Sequence, residues 1–187
     1  MRWGLSLALL AALALHAATK GLARLPELLW LCHVATVLIA LGLLATSRWL
    51  VAIGFLMHVA LGMPAFLIDV AFGERTSPTS WLVHFLPLVA GWFGLRHTGL
   101  PPRTWLAAWG TVLVTLAISI LVTPPALNVN LMHGAWGPMR EVLPGVWSVR
   151  LFQSLEGLGL LFGTQWLLQR AGWQAQIGSG CNSTRGG

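Results

Sequence analysis

Long apolar runs alternate with short polar breaks along the chain. Six runs have the length of about 20 mostly apolar residues that a helix needs to cross a bilayer. They cover residues 3–19, 26–46, 49–72, 79–97, 104–123 and 146–168. The runs are continuous rather than alternating, which favours helices over strands. The pattern therefore predicts an all-α, polytopic transmembrane helical bundle with about six spans.

The same pattern predicts a single domain. Residues 1–170 are expected to form one transmembrane helical domain, because no separate polar segment is long enough for a second core. Residues 171–187 form a polar, Gly- and Ser-rich tail that we expect to be disordered. The first run has an alternative interpretation as a signal peptide, since Arg2 precedes its apolar stretch and "LHAATK" follows it.

Composition supports a membrane location and argues against nucleic-acid binding. Only 9% of the residues are charged and 56% are hydrophobic, whereas soluble domains carry about a quarter charged residues. The net charge is +6, but the basic residues are scattered singly, as expected beside lipid headgroups and not in a DNA-binding patch. We therefore expect membrane lipids as partners and no nucleic acid. The two cysteines, Cys32 and Cys181, do not form a disulfide framework.

Two reactive side chains are predicted to lie at one depth in the membrane. If successive spans alternate in direction, the second and fourth spans start from the same face. Cys32 lies about six residues into its span and His84 about five, which places them ~9 and ~8 Å deep at 1.5 Å per residue. Polar residues within spans are candidates for function. The same face is expected to hold four supporting residues, namely Asp69, Asn128, Asn130 and Glu156.

A thiol beside an imidazole can carry out nucleophilic acyl transfer. The imidazole takes the thiol proton and later returns it to the leaving alkoxide. Asn130, Asn128 or the Ser80 hydroxyl would donate a hydrogen bond to the oxyanion. At the predicted depth the matching scissile group is a lipid ester carbonyl. His33 is adjacent to Cys32 but points about 100° away on a helix, so His84 is the preferred partner.

Other interpretations stay open. Cys32 and His58 are also explained as packing residues, Glu156 as an ion-pair partner of Arg150, and the glycines of the last run as sites of close helix packing. The polar cluster would then make the protein a non-catalytic scaffold or a small-molecule binder. A metal-dependent hydrolase is the third possibility. Its ligands would come from His33, His58, His84, Asp69 and Glu156, although no typical metal-ligand spacing is present. No cofactor is expected.

Several short motifs resemble a known family when they are read in order. They are "LPELLWLC", "GMPAFLID", "WLVHF", "NVNLM" and "LFQSLEGLGLL", with "LHAATKGL" before them. Together they resemble the YwaF-type bacterial integral membrane proteins, which are related to the transmembrane protein 164 acyltransferases. The resemblance implies a Cys-His acyltransferase acting on glycerolipids, with Cys32 and His84 as its pair. It also implies a multi-pass protein of the bacterial cytoplasmic membrane.

Overall fold

A computed structural model describes residues 1–72, 76–96, 98–135 and 139–173. Every regular element in these ranges is helical, which confirms the all-α class. The α-helices are α1 (Arg2–Lys20), α2 (Leu31–Leu44), α3 (Arg48–Met57), α4 (Met63–Ala71), α5 (Pro78–Leu95), α6 (Thr104–Val122), α7 (Met139–Val142) and α8 (Val146–Arg170). A 3₁₀ helix (Leu22–Leu29) precedes α2, and a π-helical turn (His58–Gly62) joins α3 to α4.

The predicted count of about six spans is not confirmed. By length and composition, three helical stretches in the described ranges can cross a membrane: Arg2–Lys20, Arg48–Ala71 and Thr104–Val122. A fourth is present only if the 3₁₀ helix and α2 together make one broken span. Helices α5 and α8 coincide with predicted runs, but their polar residues, among them His84 and Glu156, lower their hydropathy.

The second predicted span is broken. A continuous helix over residues 26–46 was the expectation, but the 3₁₀ helix and α2 meet at an angle of 75°. Pro26 lies inside the 3₁₀ helix and has no backbone N–H to donate. Trp30, at the junction, has extended backbone angles (φ −55°, ψ 136°) that end one helix before the next begins. The break places residue 32 in the first turn of α2.

Small residues allow the closest helix contacts, although not the ones that the sequence indicated. A Cβ added to Gly157, Gly159 or Gly163 of α8 would meet nothing within 4 Å, so the predicted packing role of these glycines is wrong. A Cβ on Gly54 of α3 would instead lie 2.6 Å from the carbonyl oxygen of Ala35. The tight interface is therefore the one between α2 and α3, which brings the backbone of α2 against the middle of the bundle.

We expect Gly54→Ala to destabilise the protein by about 1–3 kcal/mol, because the added methyl group meets backbone that cannot move independently. Gly159→Ala is the matched control, since the same methyl group enters open space on α8. Thermal unfolding in detergent measures both. An unchanged unfolding midpoint for Gly54→Ala would contradict the close α2–α3 contact.

Residues 171–173, the first three of the predicted tail, are among the described residues. Trp173 stacks on Phe55 with ring centroids 5.5 Å apart, and its carbonyl oxygen accepts a hydrogen bond from the N–H of Leu100 at 2.9 Å. The rest of the tail predicted over residues 171–187, including Cys181, lies outside the described residues.

Candidate functional site

Asn130 holds the broken segment before Cys32 in place. Its Oδ1 accepts the N–H of Leu31 at 3.1 Å, and its Nδ2 donates to the carbonyl oxygen of Leu29 at 2.8 Å. Nδ2 also donates to the hydroxyl of Ser119 on α6 at 3.1 Å. These bonds satisfy backbone groups on both sides of the junction at Trp30 that a continuous helix would have satisfied itself. Asn130 thus replaces the missing helical hydrogen bonds.

Cys32 consequently lies at the N-terminal end of a helix and not within one. It is the second residue of α2. Its own backbone N–H lies near the sulfur, as does that of His33, which donates to the carbonyl oxygen of Trp30 at 2.9 Å. The helix dipole and free N–H groups of a first turn favour negative charge. The predicted depth of Cys32 assumed one straight helix, so that calculation does not apply to the bent segment.

His84 is held in one tautomer. Its Nδ1 lies 2.7 Å from the carbonyl oxygen of Ser80, and a carbonyl only accepts, so Nδ1 carries the hydrogen. The lone pair is therefore on Nε2. The ring is buried and stacks on Phe66 with centroids 4.1 Å apart. This geometry leaves Nε2 as the basic atom of the imidazole.

Cys32 and His84 are linked through a third residue, His58. Among the described residues, no hydrogen bond or ring contact joins Cys32 to His84 directly. The Nε2 of His58 donates to the backbone carbonyl oxygen of His84 at 2.7 Å, and the two rings lie 5.9 Å apart. A Cβ added to Gly62 would lie 3.1 Å from the Cβ of Cys32 and 3.2 Å from Nδ1 of His58. His58 therefore contacts His84 and also lies close to the Cβ of Cys32.

A buried ionic group adjoins this site. Its central residue, Glu27, was not among the site residues predicted from the sequence. Glu27 is 8% exposed and forms ion pairs with Lys20 and Arg24. Its backbone carbonyl oxygen accepts a hydrogen bond from Nδ1 of His33 at 2.9 Å. His33 contacts the ring of His16, 5.3 Å away, so it points toward α1. The available signal was the rarity of acidic residues, of which the chain has only five.

Lys20 belongs to this ionic group and also acts electrostatically on the predicted catalytic residues. Its charge lies within electrostatic range of both Cys32 and His84. Asp69 lies on the exposed side of the last turn of α4 and is also within electrostatic range of Cys32. Lys20 and Asp69 therefore place charges of opposite sign within electrostatic range of the thiol.

Two of the predicted supporting residues do not contact Cys32. Asn128 is engaged within its own loop, where its Nδ2 donates to the carbonyl oxygen of Gly134 and its Oδ1 accepts the N–H of His133. Glu156 is on the exposed face of α8. Arg150, its expected ion-pair partner, instead donates to the carbonyl oxygen of Met132 and stacks on Trp147. The expected Arg150–Glu156 pair is therefore not formed.

No metal-ligand cluster is found at Cys32 in the described ranges. No group of three or more His, Cys, Asp or Glu side chains there is arranged to hold a metal ion. A cavity of about 420 Å³ lies instead in the loop between α6 and α8, where Asn128, His133 and Arg140 contribute to its wall.

Comparison with known proteins identifies one relationship. A family model described as the TMEM164 family matches residues 2–159, which is well over half of the chain and includes every predicted site residue. No match was found among the curated proteins or among the solved structures.

Proposed function

Because this chain belongs to the TMEM164 family, we propose that it is a membrane acyltransferase or lipid acyl hydrolase that acts on glycerolipids. The observation that supports this most directly is the position of Cys32 in the first turn of α2, near the buried imidazole of His58 and beside backbone N–H groups of the helix start. We assign it to the YwaF-type bacterial subgroup, and hence to the bacterial cytoplasmic membrane, on the order of its motifs.

Cys32 is the nucleophile of the proposed reaction. Nε2 of His84 takes the thiol proton as the sulfur bonds to the ester carbonyl carbon, and the carbonyl π electrons move to oxygen. When the tetrahedral intermediate collapses, the C–O bond breaks and the imidazolium of His84 returns the proton to the departing alkoxide. A second alcohol or water then attacks the thioester, and the sulfur leaves and regains a proton. Transfer to an alcohol gives an acyltransferase, and transfer to water gives a hydrolase.

The first turn of α2 is the best candidate for the oxyanion hole. Backbone N–H groups at a helix start are oriented before the reaction begins and stabilise developing negative charge. The N–H of Cys32 lies beside the sulfur, whereas the N–H of His33 already donates to the carbonyl oxygen of Trp30 at 2.9 Å, so Cys32 supplies the available donor. Asn130 has its amide N–H groups engaged with Leu29 and Ser119. We therefore assign Asn130 a positioning role, with Asp69, Asn128 and Glu156 as outer supporting residues.

Trapping of a covalent intermediate tests the proposal. The intact protein in lipid nanodiscs is incubated with a glycerophospholipid that has an alkyne-tagged acyl chain, and labelled peptides are identified by mass spectrometry. We expect a hydroxylamine-sensitive acyl group on Cys32 and none in Cys32→Ser. Cys181→Ser is the matched control, because it removes the only other cysteine. Turnover of the lipid without a thioester on Cys32 would contradict the proposed mechanism.

A scaffold function is the second candidate, and the ionic group on α1 and the 3₁₀ helix favours it. Lys20, Glu27 and His33 are joined by ion pairs and a hydrogen bond, as expected of residues that hold helices together. In that case wild-type protein would show no labelling, and Cys32→Ser would alter stability alone. Stoichiometric zinc or iron in the purified protein would instead support the metal-dependent alternative.

A further inference from the structure

His58 has a buried ring nitrogen without a partner. The residue is 0% exposed, and its Nδ1 has no hydrogen bond in the described part of the chain. Its other ring nitrogen, Nε2, lies 2.7 Å from the carbonyl oxygen of His84. Because that carbonyl only accepts, Nε2 carries the hydrogen and Nδ1 is a bare acceptor. A buried acceptor left without a donor costs about 1–3 kcal/mol.

Cys32 carries a thiol donor on a side chain that lies close to this nitrogen. The Cβ of Cys32 and the Nδ1 of His58 both approach the same point above Gly62, at 3.1 and 3.2 Å. Their separation is therefore no more than the sum of these two distances. Among the described residues, the thiol itself makes no hydrogen bond to a side chain or carbonyl. The residue that carries the donor and the nitrogen that lacks one thus both lie against Gly62.

The π-helical turn explains why His58 faces this point. A π turn adds one residue to a helical turn and so rotates the side chains that follow it relative to those before it. Such turns are rare in proteins overall, but those that occur are often found at functional sites. His58 opens this turn and Gly62 closes it. Since Gly62 has no Cβ, the space between His58 and Cys32 stays open.

We propose that His58 is a positioning residue whose Nδ1 accepts a hydrogen bond from the Cys32 thiol. Rotation of Cys32 about χ1 brings the S–H group onto Nδ1, and the hydrogen bond holds the resting thiol neutral and oriented beside the first turn of α2. His84 fixes the tautomer of His58 through its backbone carbonyl. The sulfur turns away from His58 when it attacks an ester. This last consequence rests on the proposed function, whereas the hydrogen bond does not.

The S–H stretching band in the infrared spectrum tests the hydrogen bond directly. All proteins in the test are the full chain with Cys181→Ser, so that Cys32 supplies the only S–H group. We expect a lowered, broadened band when His58 is present and a shift to the frequency of a free thiol in His58→Gln. Glutamine retains an N–H donor for the His84 carbonyl and removes the ring acceptor. His33→Asn is the matched control, because it removes a neighbouring imidazole that faces α1, and its band should stay lowered.

Gly62→Ala provides a second test that leaves both partners intact. Its methyl group would lie between Cys32 and His58, so the band should move toward the free-thiol frequency. A free-thiol band in the His58-containing protein, or a lowered band that persists in His58→Gln, would overturn the proposal. These spectra need no substrate. A lowered band that depends on His58, found together with absent thioester trapping, would retain this inference and reject the proposed function.

Discussion

His84→Asn is expected to slow acylation of Cys32 by about 10²–10⁴-fold, the usual contribution of a positioned general base. Asparagine is long enough to keep a donor near the position of Nδ1, where His84 donates to the carbonyl oxygen of Ser80. It lacks the lone pair of Nε2. The backbone carbonyl that accepts from His58 is unchanged by the substitution. The loss should therefore appear in the rate of labelling by the tagged lipid and not in folding.

His33→Asn is the control for this result. His33 also donates through Nδ1 to a carbonyl oxygen, that of Glu27, and it is also buried. It faces His16 on α1 and not the link to His84. Labelling rates should fall in His84→Asn alone, with similar unfolding midpoints for the two variants. Equal losses in both variants would mean that the buried polar group maintains structure and that His84 has no specific role.

Asn130→Ala is expected to destabilise the protein by several kcal/mol and to abolish labelling of Cys32. The substitution leaves the N–H of Leu31, the carbonyl of Leu29 and the hydroxyl of Ser119 without this partner, at about 1–3 kcal/mol for each group that stays buried and unsatisfied. Residue 130 also has a positive φ of 53°. This left-handed conformation costs alanine about 1–2 kcal/mol, whereas asparagine adopts it more readily. Thermal unfolding and lipid labelling measure the two effects.

Asn128→Ala is the control that separates the backbone strain of alanine at a positive φ from the loss of the contacts that position Cys32. Asn128 also has a positive φ, 43°, and loses two loop hydrogen bonds on substitution. However, it does not contact the junction at Trp30. We expect partial destabilisation with labelling retained in Asn128→Ala. If Asn130→Ala labels Cys32 as fast as the wild type in nanodiscs, the break before α2 does not depend on this side chain.

The continuous apolar runs were sufficient to locate the long helices. Each of the six predicted runs overlaps a helical stretch of the described chain, because a length of apolar sequence that buries its backbone polar groups in lipid must form a helix. The same information did not determine the number of spans. Helices α5 and α8 carry polar residues, and their relation to the membrane depends on the neighbours that cover those residues.

The candidate site was only partly visible in the sequence. Cys32 and His84 stand out as polar residues in apolar runs, which is a local property. The contacts of Asn130 with Leu29 and Leu31 are different, since they join positions about 100 residues apart along the chain. No local pattern reports such a contact. The unpartnered nitrogen of His58 likewise emerges only when the π turn sets its direction.

The sequence by itself determined a membrane-embedded, all-helical chain, because long apolar runs are stable in lipid only as helices. It also identified the polar residues within those runs, because polar side chains are unfavourable in lipid. Only the tertiary structure decided how those residues are arranged. The break at Trp30 exists because Asn130, from a distant loop, satisfies the backbone groups that the break exposes. That one long-range contact changes Cys32 from a residue inside a span into the start of a helix.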